Sequence, residues 1–198
     1  LEAIAPFYIG ITELTVAQGR ALGGEAIFAV TEESRLPLVE VNWSEAKARS
    51  ENAGLRLPSE REWESACRAG SRTEYWFGDD ETKLGEVAWF DGNSESRAHP
   101  VGLRPANAWG LFDVHGNVEE LCEDEDVLST KTFGSSYRVV RGGSHGASAE
   151  QCRSASLGWR PVGFRPLDMG FRPANSFPNC LHPITIFARA EGRQPGRA

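Results

Sequence analysis

The chain has 198 residues, 40% of them hydrophobic and 25% charged, which suits one compact domain with room for a sizeable core. Its net charge of −7 argues against nucleic acid as a partner, since phosphate binding needs clustered Lys and Arg. No apolar run approaches the roughly 20 residues needed to span a bilayer, so membrane insertion is not expected either. Leu1 follows no initiator Met and opens no signal-peptide pattern, so the chain is read as a piece of a longer protein, with its location left open. Cys67, Cys122, Cys152 and Cys180 are too few for a disulfide scaffold, and none of them has the C-x-x-C spacing of a zinc site.

Ala5 to Gly10 is a short β-type run. Thr15 is placed to N-cap a helix over about 16–22, ended by Gly23 and Gly24. Leu36 to Trp43 alternates, with apolar Leu38, Val39, Val41 and Trp43. Ser44 then starts a helix through about Asn52, with Ala46 and Ala48 inside it and Gly54 closing it. Ser59 and Glu62 form a capping box, each bonding the other's backbone N–H. Behind it Trp63, Ala66 and Cys67 recur at helical spacing as one apolar face, and Gly70 stops the helix. Glu60, Glu62 and Glu64 are accordingly read as capping and surface residues rather than acid–base groups. Val87 to Phe90 is a short strand or turn, and Asp91-Gly-Asn93 a tight turn. Beyond Arg172 the text changes: residues 173–198 read as a tail, with a C-terminal strand and then a polar, Arg-rich, frayed end.

Several of these segments carry a resemblance. Leu55-Arg-Leu-Pro-Ser-Glu-Arg-Glu-Trp-Glu-Ser-Ala66 resembles R-L-P-T-E-A-E-W-E-Y-A, and Pro105 to Cys122 resembles P-N-x-x-G-L-Y-D-M-x-G-N-V-W-E-W. Arg138-Val-Val-Arg-Gly-Gly-Ser144, Cys152-Arg-Ser-Ala155 and Gly170-Phe-Arg172 resemble the later landmarks of the same group, the formylglycine-generating-enzyme-like domains. The resemblance spans about residues 5–172. It implies an α+β, C-type-lectin-like fold with two helices, small antiparallel sheets and much irregular loop. Glu119 and Leu121 stand where that family usually has tryptophan, so this edge of the fold is altered.

Residues 152–172 match, without a gap, an asparagine-filled pattern of one branch, C-R-S-A-N-R-N-R-N-N-P-D-N-R-N-N-N-I-G-F-R. Where asparagine would stand the chain has Ser156, Gly158, Arg160, Pro161, Phe164, Pro166, Leu167 and Asp168. This resembles the variable region of a diversity-generating retroelement target, in which adenine mutagenesis turns an AAC codon into NNC. All eight residues belong to the NNC set, as do Gly146, Ala147 and Ser148. Gln151 does not fit an AAC origin, and Trp159 requires an AGG arginine codon. The plain alternative is an ordinary diverged loop.

The resemblance implies a non-enzymatic display domain with a variable region over about 145–168. The expected ligand-binding set is His145, Gly146, Ala147, Ser148, Gln151, Ser156, Gly158, Trp159, Arg160, Pro161, Phe164, Pro166, Leu167 and Asp168. The implied partner is a macromolecule, preferably a protein. The alternative is a formylglycine-generating oxidase or an inactive relative of one. Such oxidases bind copper through a cysteine pair, and Ala147 falls where the first cysteine belongs. No cofactor is expected, apart from a structural calcium of related folds, for which Asn117 and Glu120 are the candidate ligands. Cys122 and Cys152 occupy family cysteine positions, as buried thiols or, alternatively, as a disulfide. His99, His115, His145 and His182 show no metal-ligand spacing, and His145 is a display candidate.

Overall fold

The computed structural model describes residues 4–23, 31–176 and 187–190. Local chemistry sets its three main helices. Thr15 and Gln18, Asn42 and Glu45, and Ser59 and Glu62 each form a capping box at the start of α1 (Val16–Leu22), α2 (Trp43–Asn52) and α3 (Glu60–Arg68). Two of these starts match the sequence reading. For α2 the cap is Asn42, two residues before the expected Ser44, because the Asn42 side chain accepts from Glu45 N–H. Helix α3 buries the expected face of Trp63, Ala66 and Cys67, and ends at Ala69 with φ 45°, the left-handed conformation.

Two further helices, α4 (Leu84–Val87) and α5 (Val127–Phe133), the latter capped by Asp126, bring the α-helices among the described residues to five, where the resemblance implied two. Val87 thus ends a helix. Only Trp89 behaves as strand, in a bridge to Gly116, and Asn93 closes the expected turn on Phe90. A Cβ on Gly116 would lie 2.0 Å from Trp89 O, so glycine is required where these backbones touch.

Four strands make the larger sheet: β2 (Glu119–Glu125), β3 (Tyr137–Arg141), β4 (Leu157–Pro161) and β5 (Met169–Gly170), in the order β4-β3-β2-β5. The pairing of β2 with β5 is parallel, which corrects the all-antiparallel expectation. A second sheet places β1 (Phe7–Gly10) between β6 (Ala174–Asn175) and β7 (Phe187–Ala190). The domain therefore does not end at Arg172. Residues after it flank the first strand on both sides, and Arg56 and Ala174 exchange backbone hydrogen bonds.

The core has three clusters: one around Trp63, Phe7 and Leu111, one around Leu121, Phe171 and Met169, and one around Tyr75, Leu84 and Cys152. Leu121, at a tryptophan position of the family pattern, fills the second. Cys67, Cys122 and Cys152 are buried free thiols, so the alternative disulfide is not formed; Cys180, His182 and Gly24 lie outside the described residues. No helix among the described residues is long and apolar enough to cross a membrane.

Candidate binding face

Two buried arginines fix the frame of the 141–172 segment. Arg141, fully enclosed, reaches Glu60 at 3.2 Å and also pairs with Glu64 on α3. It donates to the carbonyls of Ser154 and Ser156 as well, which ties the start of β4 to the helix. Glu60 and Glu64 thus have a structural task, and Glu62 pairs with Arg56 while capping α3. At the other end, Arg172 Nε and Nη2 each lie 2.6 Å from a Glu120 oxygen, and Trp63 Nε1 donates to the same carboxylate at 2.7 Å. The guanidinium also donates to the Gly10 and Phe112 carbonyls. A buried charge survives only when paired and hydrogen-bonded in this way.

Between these anchors the chain runs outward. Strand β4 is an edge strand, and its residues alternate exposed and half-buried from Leu157 to Pro161. Trp159 is 40% exposed, Phe164 46% and Leu167 67%, unusual for such large apolar side chains. Trp159 meets Tyr137 edge-on with centroids 5.3 Å apart, and Phe133 of α5 packs on both rings at 5.4 and 5.7 Å. A shallow cleft of about 430 Å³ opens here, lined by Tyr137, Trp159, Arg160, Pro161, Phe164, Pro166 and Asp168. On the inner side Arg160 Nη2 donates to Glu119 Oε1 at 2.6 Å. Burial and the neighbouring Asp168 push the Glu119 carboxyl above its usual range, against the pull of Arg160. Asp168 accepts from Ser144 Oγ at 3.1 Å.

Six of the seven lining residues belong to the expected set; Tyr137 is the addition. Leu167 is exposed nearby in sequence, and Ser156 uses its carbonyl to hold Arg141. Three expected residues are of a different kind. Ala147 is buried at 7% in the third core cluster, so its side chain is packing, not display. Gly158 faces inward: a Cβ there would stand 2.9 Å from Val140 Cγ2, so a larger residue must displace the core. His145 is half-buried, and desolvation lowers its pKa. Gly146, Ser148 and Gln151 lie outside the cleft lining, on a turn where Ser148 and Gln151 cap each other.

Sequence reasoning missed Tyr137, Phe133 and Glu119. Glu119 had a signal, because a carboxylate at a tryptophan position needs a partner, and Arg160 is that partner.

The expected calcium does not fit. Both Glu120 oxygens are taken by Arg172 and Trp63, so a guanidinium supplies the positive charge. Asn117 spends its amide on His99 and Glu13. Among the described residues no three His, Cys, Asp or Glu side chains are grouped as a metal site. Copper does not fit either. Position 147 has no sulfur, and burial pushes the Cys152 thiol up to about 12, far from the accessible thiolate such chemistry needs. His115 is held neutral by burial, which lowers its pKa to about 4. Its Nε2 accepts from Trp76 N–H, so Nδ1 carries the proton given to the Cys152 carbonyl.

Comparison with known proteins places this geometry. The formylglycine-generating enzyme of Mycobacterium tuberculosis (strain ATCC 25618 / H37Rv) is 31% identical over 158 residues, covering 66% of this chain and 52% of that protein. The inactive C-alpha-formylglycine-generating enzyme 2 of Mus musculus is 34% identical over 131 residues, 58% of this chain and 39% of that protein. The chain spans about half the length, or less, of the curated relatives it matches. Among solved structures, Treponema denticola variable protein 1 superposes with a TM-score of 0.75 at 26% identity, covering 86% of this chain and 84% of that one. The fold is therefore the C-type-lectin-like α+β fold of these proteins. With the model of the sulfatase-modifying factor enzyme 1-like domain matching residues 2–177, the chain belongs to that family.

Proposed function

We propose that this domain is a ligand-binding display module, not an enzyme, whose exposed residues between Ser156 and Asp168 are diversified by a retroelement to bind a macromolecular target, preferably a protein. The observation that carries the reading is the cleft. Six of its seven lining residues come from the asparagine-pattern segment, while Arg141, which precedes that segment, and Arg172, which ends it, are sealed in the core. Function concentrates on loops held by a rigid scaffold. Aromatic and Arg side chains are the usual hot spots of interfaces, and a face of this kind covers on the order of 800 Å² per partner. The non-enzymatic half of the reading draws support from Ala147, from the buried Cys152 and from a family that includes a relative named inactive. A solved relative named a variable protein supports the diversified half.

The direct test is the DNA around the gene and its close copies. A nearby non-coding repeat matching codons 141–172, with adenines wherever the protein copy differs, supports diversification. An invariant gene with no such repeat makes 156–168 an ordinary evolved loop. The binding half is checked with Trp159→Ala/Phe164→Ala, expected to lose the natural ligand while keeping the cooperative unfolding of the parent. Full binding by the double variant removes this face from consideration, and copper-dependent oxidation of a thiol peptide would reinstate the oxidase.

A further inference from the structure

On the strength of that display reading, we propose that the face takes its target as an added β-strand: an extended, basic polypeptide segment pairs with the free edge of β4. The register of β4 decides which backbone groups point outward. Val162 N–H donates to Ser136 O next to the Tyr137–Pro161 pair. Bonded and non-bonded pairs alternate along an antiparallel ladder. Arg160 and Gly158 therefore bond inward to β3, and Leu157, Trp159 and Pro161 turn their backbone groups away from it. Proline sits where no N–H is required, which fits the assignment. The Pro161 carbonyl closes a turn with Phe164 N–H, and the Trp159 carbonyl accepts from its neighbour Arg160. Leu157 N–H, Leu157 C=O and Trp159 N–H have no partner among the described residues. An unpaired edge of this kind is a template for strand addition.

The surroundings suit such an occupant. The cleft draws lining from both faces of β4: Trp159 and Pro161 on one, Arg160 on the other, with Asp168 beside it. Phe133 and Tyr137, outside the diversified segment, widen the aromatic platform. Its charge is unbalanced. Among the described residues Glu119 and Asp168 have one ion-paired cation beside them, Arg160; its cross-strand neighbour Arg138 is turned onto Trp43 and the Glu123 carbonyl, and Arg165 is paired with Glu45. The spare carboxylate and three exposed rings favour a Lys or Arg side chain from the incoming strand. Backbone hydrogen bonds do not depend on side-chain identity. The edge would thus give every variant the same anchoring, while positions 159 and 164 set the preference.

The test uses the folded domain and a displayed library of random linear dodecapeptides. Selected peptides are expected to be enriched in Lys and Arg, and to slow hydrogen exchange at the Leu157 and Trp159 amides about tenfold or more while leaving Arg160 unchanged. Single backbone N-methylation along a selected peptide should abolish binding at every second position. Asp168→Asn, which keeps the acceptor for Ser144, should weaken basic peptides about fivefold or more. Peptides that need Trp159 but leave both amides exchanging freely, or tolerate N-methylation throughout, overturn strand addition and leave the display face standing. A library with no binders, or with a neutral or acidic consensus, overturns the basic-strand assignment. Peptides that bind Trp159→Ala/Phe164→Ala at full strength overturn the display reading itself.

Discussion

The two arginine anchors and the β4 edge lie within one stretch of about thirty residues, yet they follow opposite rules. At the anchors both guanidinium groups are ion-paired: Arg172 spends its donors on Glu120, Gly10 and Phe112, and Arg141 turns its two terminal nitrogens to Glu60, Glu64, Ser154 and Ser156. At the edge, Trp159, Phe164 and Leu167 leave apolar surface in water, and the Leu157 and Trp159 amides have no partner among the described residues. The lesson is about tolerance. Substitution is punished where a side chain is one part of a closed network and absorbed where it ends in solvent.

The contrast breaks most severely at Glu120. Glu120→Ala leaves Arg172 enclosed without its carboxylate and Trp63 Nε1 without its acceptor. Loss of one member of a buried pair costs about 3–5 kcal/mol, a large part of a domain's whole stability. Chemical denaturation of the variant should show a midpoint lowered by about a third or more. A variant of parental stability would mean that the anchor carries no weight.

Next in size is a pH effect in the same network. Burial raises the Asp113 carboxyl to about 6, with Glu120 adding to the rise while the Gly102 N–H, Arg172 and Arg104 oppose it. Glu13, which faces the same arginine, is also raised, chiefly by burial. A raised carboxyl means that the folded state keeps a proton the unfolded chain gives up at about 3.9. This contribution is fully present below about pH 4 and is lost as pH rises through 6. Two units correspond to roughly 3 kcal/mol. Asp113→Asn keeps an acceptor for Gly102 N–H and should flatten the fall in stability between pH 4 and 6. An unchanged slope would assign the titration elsewhere.

What could be read from the sequence follows the same division. The N-cap at Thr15 and the capping box at Ser59 were legible because each acts on residues three apart, and the Trp63 face because helical spacing is local; the Gln18 half of the Thr15 box was not read. The display segment was legible because its length and frame match a pattern. Burial was not: codon reasoning admits Ala147 and Gly158 as readily as Pro161, and only the packing of Val140 and the third core cluster separates them. Glu119 and Arg160 are 41 positions apart, and Phe133 reaches Trp159 from a helix with no counterpart in the sequence reading.

Gly158 sharpens the comparison, because it is an anchor position inside the display strand. Gly158→Ala pushes a methyl against Val140 Cγ2, and overpacking of this kind costs about 1–2 kcal/mol. Ser156→Ala, at a half-exposed site, should stay within about 0.5 kcal/mol. Equal stability of the two by urea unfolding would make position 158 as free as its neighbours.

Arg160 marks the boundary between the two regimes. Its guanidinium is a third exposed, while its partner Glu119 is only 13% exposed, with one oxygen, Oε2, that has no hydrogen-bond partner among the described residues. Diversification at 160 would therefore strand a fixed carboxylate. Arg160→Asn should cost about 1 kcal/mol at pH 7, between the values for exposed and buried pairs. Without the guanidinium, burial and Asp168 would hold the Glu119 pKa higher still, so the folded variant takes up a proton sooner than its unfolded chain. The penalty should then shrink as pH falls from 7 to 5, and Glu119→Gln in the same background should remove the pH dependence of the difference. A penalty independent of pH would place the cost in lost packing of the arginine stem. Glu119 would then be no brake on what position 160 can become.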